Sequence, residues 1–168
     1  MSEVSRNNKE MDPTAQREFN EYLKQCGNVK DPILLVLRVH LYCEYLMDRI
    51  IGACVKRPNR LLRDARLSFF QKIRLIHAFN VLPDDLIDAL DGLNSVRNDC
   101  AHDLNKEITM RDVDRIGHSF GKQLIKFKRE NSNNVLKILN DLTMYVCVGL
   151  AFHVNRMELK ISKDTHSE

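Results

Sequence analysis

One stretch of the chain, from Asp31 to Val55, limits the possible folds more than any other. Its apolar residues recur at the three- and four-residue spacing of a helix. Asp31-Pro32 supplies a capping acid followed by a proline suited to the first helical position. The pattern predicts one helix of about 24 residues, apolar enough to be central in a bundle. Only six Gly and four Pro occur in 168 residues, which disfavours a many-stranded sandwich or barrel because those folds need frequent turns.

Capping residues and helical periodicity also mark the other helices. Helix starts are predicted at Asp12-Pro13, at Ser68 with Gln71, at Pro83-Asp84-Asp85 and at Thr109 with Asp112. The helix that begins after Thr109 is expected to continue to Phe127, and a last one runs from Val135 to about Leu159. We therefore predict an all-α, single-domain bundle of five or six helices over residues 12–161. Residues 1–11 and 162–168 are expected to be disordered tails.

Charge and cysteine usage exclude several classes of protein. The chain has 26 Lys and Arg against 23 Asp and Glu, so its net charge of +3 is far below that of a protein that coats duplex nucleic acid. Five widely separated cysteines without a C-x-x-C spacing indicate neither a disulfide framework nor a zinc site. The polar N-terminus has no apolar signal region, and the longest apolar run, Ile33 to Leu37, is too short to span a bilayer. We expect a cytoplasmic protein without a membrane partner.

The segment from Lys56 to Arg66 is a cationic connector between two helices. It contains five basic residues, one acid and Pro58. One interpretation is that its cations contact RNA phosphates: Lys56, Arg57, Arg60, Arg63 and Arg66. The other is that the segment is a solvated surface loop.

The segment from Leu93 to Asp103 carries the residues best suited to chemistry. On a helix, Arg97, Asn98 and His102 share a broad polar face opposite Leu93 and Val96. A histidine with an ordinary pKa near 6.5 can take up or release a proton near neutral pH, and an arginine can hold a phosphate with two hydrogen bonds. In a structural alternative, Arg97 pairs with Asp99, with Asp103 or with an acid on another helix, and His102 caps a helix end.

The pattern Arg97-Asn98-x-x-Ala101-His102 resembles the R-x4-6-H motif of the HEPN superfamily of small all-helical domains. The likeness extends over about residues 31–150. It includes an acid-bearing helix that spans His40 to Asp48, then Phe69 and its helix, and Leu93-Asn94 before the motif.

The resemblance implies a metal-independent endoribonuclease that needs no cofactor and forms a homodimer with two Arg/His pairs in one cleft. Arg97 and His102 would be its catalytic residues, Asn98 would orient them, and Glu44 would bond to His102 or Arg97. Attack by the ribose 2′-OH on single-stranded RNA would leave a 2′,3′-cyclic phosphate. A toxin or defence component, neutralised by an antitoxin, is one expected role.

The sequence also departs from part of that superfamily. A subgroup whose partner modifies a tyrosine has H-x-Y, whereas Asp103-Leu104 follows His102 here. The alternative is a non-catalytic transcriptional regulator or protein-interaction module, similar to the mannitol-operon repressor, with a regulatory protein as partner. His40, Glu44 and Asp48 also resemble half of a metal-ligand helix, but we favour a buried polar strip and predict no metal.

Overall fold

The computed structural model describes residues 13–164, and all regular elements in that range are helical. The seven α-helices are α1 (Pro13–Cys26), α2 (Pro32–Cys54), α3 (Phe69–Ala78), α4 (Asp84–His102), α5 (Met110–Gly117), α6 (Lys122–Glu130) and α7 (Val135–Asp164). A π-helical turn at Arg60–Asp64 and a 3-10 turn at His118–Phe120 complete the order. The predicted all-α fold is confirmed.

Three of the predicted helix starts coincide with side-chain hydrogen bonds that cap them, whereas Pro83 before α4 makes no such bond and Asp12 lies outside the described residues. Asp31 accepts a 2.7 Å bond from the backbone N–H three residues later. The Ser68 N–H donates to Gln71 Oε1 at 2.9 Å, and the Ser68 hydroxyl accepts from the Gln71 N–H at 3.3 Å. The Thr109 N–H donates to Asp112 Oδ2 at 2.8 Å. Each cap satisfies backbone donors that a helix start leaves unpaired.

The helix expected to run from Thr109 past Phe127 is instead divided into α5 and α6, which raises the number of α-helices to seven in the described range. Gly121 lies at the break with φ +48°, a backbone conformation that side-chain-bearing residues rarely adopt. The connector differs too, because Arg60–Asp64 forms a π-helical turn. At the other end, α7 continues to Asp164, so residues 162–164 belong to that helix. Residues 1–12 and 165–168, including most of the predicted tails, lie outside the described range.

The centre of the bundle is the contact between α2 and α7, the most extensive between any two helices. Cys43 and Cys147 meet there with their sulfur atoms 3.7 Å apart, both fully buried. Helix α1 packs across α7, where the Tyr22 hydroxyl lies 2.9 Å from the Thr143 hydroxyl. Helices α3 and α4 cover α2, and α5 joins α4 to α7. All five cysteines are free thiols.

Helix α7 is long and apolar enough, by length and composition, to cross a membrane: Val135–Leu159 has a mean hydropathy of 1.6. Polar residues interrupt this stretch, so it contains no long uninterrupted apolar run. The apolar composition of α7 is explained by the burial of much of this helix in the core. Eight of its residues are buried in the core: Ile138, Leu139, Leu142, Val146, Cys147, Leu150, Ala151 and Val154. Such a composition is also that of the central helix of a bundle.

Helices α4 and α5 approach closely at Gly92. A Cβ atom at this position would lie 2.9 Å from the Ile116 Cα and closer still to the Arg115 carbonyl oxygen. Both neighbours are backbone atoms, which cannot move aside as a side chain can. The contact therefore requires glycine.

Gly92→Ala is expected to lower the free energy of unfolding by about 2 kcal/mol because it overpacks this backbone contact. Gly52→Ala in α2 is the matched control, since nothing lies within 4 Å of its Cβ position. There the substitution should stabilise by up to about 1 kcal/mol through higher helix propensity. Urea unfolding of both variants gives the two values. Equal effects would show that Gly92 is not held by packing.

The Asp112 carboxylate, which is buried, joins the cap of α5 to Lys106. Lys106 Nζ lies 2.8 Å and 2.9 Å from its two oxygens. Burial by itself would raise the pKa of Asp112, but the hydrogen bonds from Lys106 and Thr109 outweigh it and hold the pKa below the ordinary value.

Asp112→Asn should therefore lower the free energy of unfolding by about 2 kcal/mol at pH 7, since a weakened cap and a broken buried ion pair are each destabilising. The carboxylate stabilises the fold above its unfolded-state pKa near 4, and that contribution is lost as the pH falls through the lower folded-state value. The difference between wild type and variant should shrink below about pH 4. Unfolding curves from pH 7 to about pH 2.5 test this, and a difference that does not change with pH would contradict it.

Candidate functional site

The sequence motif lies on the last turns of α4. Leu93 and Val96 are buried and fix this end of the helix against the bundle. Arg97 and Asn98 are half-buried on the other side, and His102 is exposed. Arg97 Nη1 donates a 3.2 Å hydrogen bond to Asn98 Oδ1, so the arginine and the polar residue predicted to orient it are in contact.

The acids nearest to Arg97 in sequence have other partners. Asp99 pairs with Arg115 of α5, with 2.5 Å between Nη1 and Oδ2. Asp103 accepts a 2.9 Å bond from the Asn105 N–H and so stabilises the turn after α4. Within residues 13–164, Arg97 has no carboxylate partner. The alternative in which Arg97 pairs with a neighbouring acid is therefore wrong.

His102 is the last residue of α4, and its ring has no hydrogen-bond or ion-pair partner in the described range. Its position at the helix end matches the structural alternative, because a helix C-terminus favours a cation there. Five residues of α-helix separate it from Arg97 by about 7.5 Å along the axis and about 140° around it. The two side chains thus leave the helix in different directions.

A buried polar contact joins α2 to the turn of α4 that precedes Arg97. His40 of α2 is buried, and its Nε2 lies 3.2 Å from the side-chain oxygen of Asn94, three residues before Arg97. The His40 ring also stacks on Phe69, with 3.8 Å between ring centroids. Burial lowers the pKa of His40, and the nearby Arg97 charge lowers it further. Near neutral pH the imidazole is uncharged and joins α2, α3 and α4.

Glu44 does not have the supporting role predicted for it. Its carboxylate binds Lys72 of α3 at 2.8 Å, and Asp48 lies 2.7 Å from the same ammonium. Burial opposes the charge of Lys72, but the two carboxylates raise its pKa above the ordinary value. Because Lys72 is buried between them, Glu44 is committed to the α2–α3 contact rather than to His102 or Arg97. No group of three or more metal-ligating side chains occurs among the described residues.

All five basic side chains of the connector are exposed: Lys56, Arg57, Arg60, Arg63 and Arg66. Arg60 has an ion pair with Asp64 at 3.7 Å, while Leu61 and Leu62 pack against the core and hold the segment to the bundle. Arg66 lies three residues before Phe69, so their Cα atoms are at most about 11 Å apart. The cationic segment therefore ends close to the contact between His40 and Phe69.

Two features of this region have no clear signal in the sequence. The stacking of His40 on Phe69 joins residues far apart in the chain, so no local pattern in the sequence indicates it. Leu104, directly after the motif, is fully exposed with 105% relative accessibility. Cys100 is partly buried, and burial raises the pKa of its thiol, which makes it a poor nucleophile.

A scan of protein-family models and searches of curated proteins and of solved structures found no match to this chain. The resemblance to HEPN domains therefore rests on the Arg97 to His102 motif and its helical surroundings, and it remains a prediction.

His40 should make the stability of the protein depend on pH. Unfolded, its pKa is near 6.5, whereas the folded value is lower, so unfolding takes up a proton and the fold loses stability as the pH falls below about 6.5. His40→Phe keeps a ring against Phe69 but cannot titrate. Between about pH 7.5 and pH 5, its free energy of unfolding should fall less than that of the wild type. His153, whose pKa burial also lowers, is present in both proteins and contributes equally. Parallel curves for the two proteins would refute the role of His40.

Proposed function

We propose that this protein is an RNA-cleaving enzyme of the HEPN type that acts without a metal ion. One observation carries the proposal: Arg97 and His102 lie on the same end of α4, and neither is neutralised by an acid within residues 13–164. A buried arginine is usually paired with an acid, and Arg97, which is half-buried, donates only to Asn98 among the described residues. An arginine and a histidine that are not paired with acids are available to bind and cleave a phosphodiester.

The chemistry assigns a different task to each side chain. Arg97 holds the scissile phosphate through its free N–H donors and stabilises the charge that develops on the phosphoryl oxygens. The ribose 2′-oxygen loses its proton to a base and forms a bond to phosphorus, while the bond from phosphorus to the 5′-oxygen breaks. His102 acts as the acid or base in this exchange, and the departing 5′-oxygen receives a proton. The products are a 2′,3′-cyclic phosphate and a 5′-hydroxyl.

The geometry of α4 favours a second copy of the chain as part of the site. Arg97 and His102 diverge by about 140° around one helix, so a single phosphate is reached more easily by side chains from two facing helices. In the proposed homodimer, α4 of each subunit contributes its pair to a shared groove. The connector cations, which end near His40 and Phe69, extend the electrostatic surface available to an RNA strand.

A second candidate function is a protein-interaction module without catalysis. The fully exposed Leu104, two residues after His102 in the turn that follows α4, favours it. In this candidate function, the side chain of Leu104 adds apolar area to the contact with a partner protein, either an antitoxin or a regulatory protein. Leu104→Ser would therefore weaken partner binding. His102→Ala would leave partner binding unchanged, and neither the wild type nor this variant would cleave RNA.

Arg97→Lys and His102→Ala should each reduce cleavage of single-stranded RNA by at least about 100-fold, because one removes the bidentate phosphate contact and the other the proton transfer. The wild type should act equally well in EDTA and leave cyclic phosphate ends. Gel analysis of a 5′-labelled RNA with end-group mapping measures both.

His118→Ala is the matched control for His102, since His118 is also exposed and its ring has one hydrogen-bond partner in the described range, the Arg115 carbonyl of α5. It should retain activity, and circular dichroism should give the same helicity for all variants. If both motif variants cleave as the wild type does, or if EDTA abolishes activity, the proposal fails.

The connector makes a separate prediction about binding. Changing Lys56, Arg57, Arg63 and Arg66 to glutamine should weaken RNA binding and reduce the slope of log affinity against log salt by up to about 0.7 for each phosphate that is no longer neutralised. Lys122, Lys126, Arg129 and Lys137 are exposed cations elsewhere on the bundle and serve as the control set. Filter binding of an inactive variant from about 50 to 300 mM salt measures the slopes. Equal slopes for the two sets would exclude the connector from the RNA-binding surface.

A further inference from the structure

A second site lies far from the motif, at the opposite end of α4. A cavity of about 640 Å³ opens there between α1, the start of α4, the 3-10 turn, α6 and α7. Its volume falls in the range of small-molecule sites. Asp85 and Leu86 of α4 border it, and about 25 Å of helix separates them from His102. The cavity is therefore independent of the proposed RNA site.

Aromatic rings form much of the cavity wall: Phe19, Phe120, Phe127, Tyr145 and Phe152. Tyr145 is at the centre of this group and meets two of the rings edge to face, Phe120 at 5.0 Å and Phe127 at 6.1 Å between centroids. Met144 adds an adaptable thioether. Phe152 is 53% exposed, and a large aromatic side chain that is half open to solvent is available to a ligand.

The charge of the cavity differs from that of the rest of the molecule. No lysine or arginine lines it among residues 13–164, although the chain contains 26 of them. Two carboxylates do, Glu18 and Asp85. The third titratable group is His153, where burial and then the neighbouring Arg156 lower the pKa, so the imidazole is neutral near pH 7. The cavity thus combines apolar rings with negative charge.

The two carboxylates are not equally available. Glu18 is buried and already accepts hydrogen bonds from Arg17 at 2.9 Å and from the Asn155 amide at 2.9 Å. The Asp85 carboxylate accepts one hydrogen bond in the described part of the chain, from the backbone N–H of Leu86 at 2.8 Å, and no lysine or arginine there pairs with it. Asp85 is therefore the unneutralised charge at the cavity.

We infer that this cavity binds an organic cation with an apolar body, a quaternary or alkylated ammonium group. The aromatic faces attract a cation through their quadrupoles, and the carboxylate of Asp85 supplies the counter-charge. An anionic ligand would meet the unpaired carboxylate of Asp85 and no lysine or arginine among the described lining residues. A neutral apolar ligand would pack against the aromatic rings. It would also displace water from the Asp85 carboxylate without offering a charge or hydrogen bond in its place.

Two probes that differ in one atom test this directly. The (4-hydroxyphenyl)trimethylammonium ion and 4-tert-butylphenol have the same shape, but a nitrogen carries the charge in the first where a neutral carbon stands in the second. The cation should bind about tenfold more tightly to the full chain, the size of a cation–π and ion-pair preference at a partly exposed site. Titration followed by NMR chemical shifts measures both affinities and identifies the residues affected.

Matched variants connect the preference to this cavity. Asp85→Asn should reduce the preference for the cation to about twofold or less, whereas Asp84→Asn, the neighbouring acid in the first turn of α4, should leave it unchanged. Phe152→Ala should weaken the cation about fivefold, while Phe70→Ala, a phenylalanine 52% exposed on α3, should have no effect.

Equal affinity for the two probes would overturn the inference, because the cavity would then select only for apolar surface. Shifts confined to residues outside the cavity, or no binding of the cation at millimolar concentration, would overturn it as well. Phe152 and Asp84 are exposed, so Phe152→Ala and Asp84→Asn are expected to fold as the wild type does. The result is independent of RNA cleavage, so it stands or fails separately from the proposed function.

Discussion

The packing of α2 against α7 is the interaction on which all the other helices rest. The two helices bury apolar side chains along their whole contact, including Cys43 and Cys147, and the other helices are arranged around that pair. This burial is the main favourable term, since apolar surface removed from water contributes about 25 cal/mol per Å². Without it α7 would be an exposed apolar helix. Its membrane-like composition and its place in the core have the same physical cause.

Helix α4 connects the packed core to two regions: the aromatic cavity at its first turn and the Arg97 to His102 motif at its last turns. Its middle is fixed by Leu90 and Leu93 in the core and by the close approach of Gly92 to α5. Its first turn borders the aromatic cavity, and its last turns carry Arg97 and His102. A rigid helix held by buried side chains along its length can present other side chains to solvent at both of its ends.

The buried polar groups are concentrated where α2, α3 and α4 meet. Lys72 lies between Glu44 and Asp48, and His40 bonds to Asn94 while it stacks on Phe69. Such contacts are costly unless each partner is satisfied, so they fix the relative positions of the helices. They also explain why Arg97 has no carboxylate partner within residues 13–164: Glu44 and Asp48 of α2 are already bound to Lys72, and Asp99 is bound to Arg115.

Most of the helices and their starts can be predicted from the amino-acid order alone, because caps and periodicity act over a few residues, but the break between α5 and α6 was not predicted. Asp31, Ser68 and Thr109 start helices as expected, and Arg97 and His102 share α4 for the same reason. The pairing of side chains between helices followed only from the packed fold. Glu44 binds Lys72 rather than the motif, and α1, α4, α6 and α7 border a cavity without a lysine or arginine among its described lining residues. Those outcomes depend on residues far apart in the chain, whose distances local periodicity does not fix.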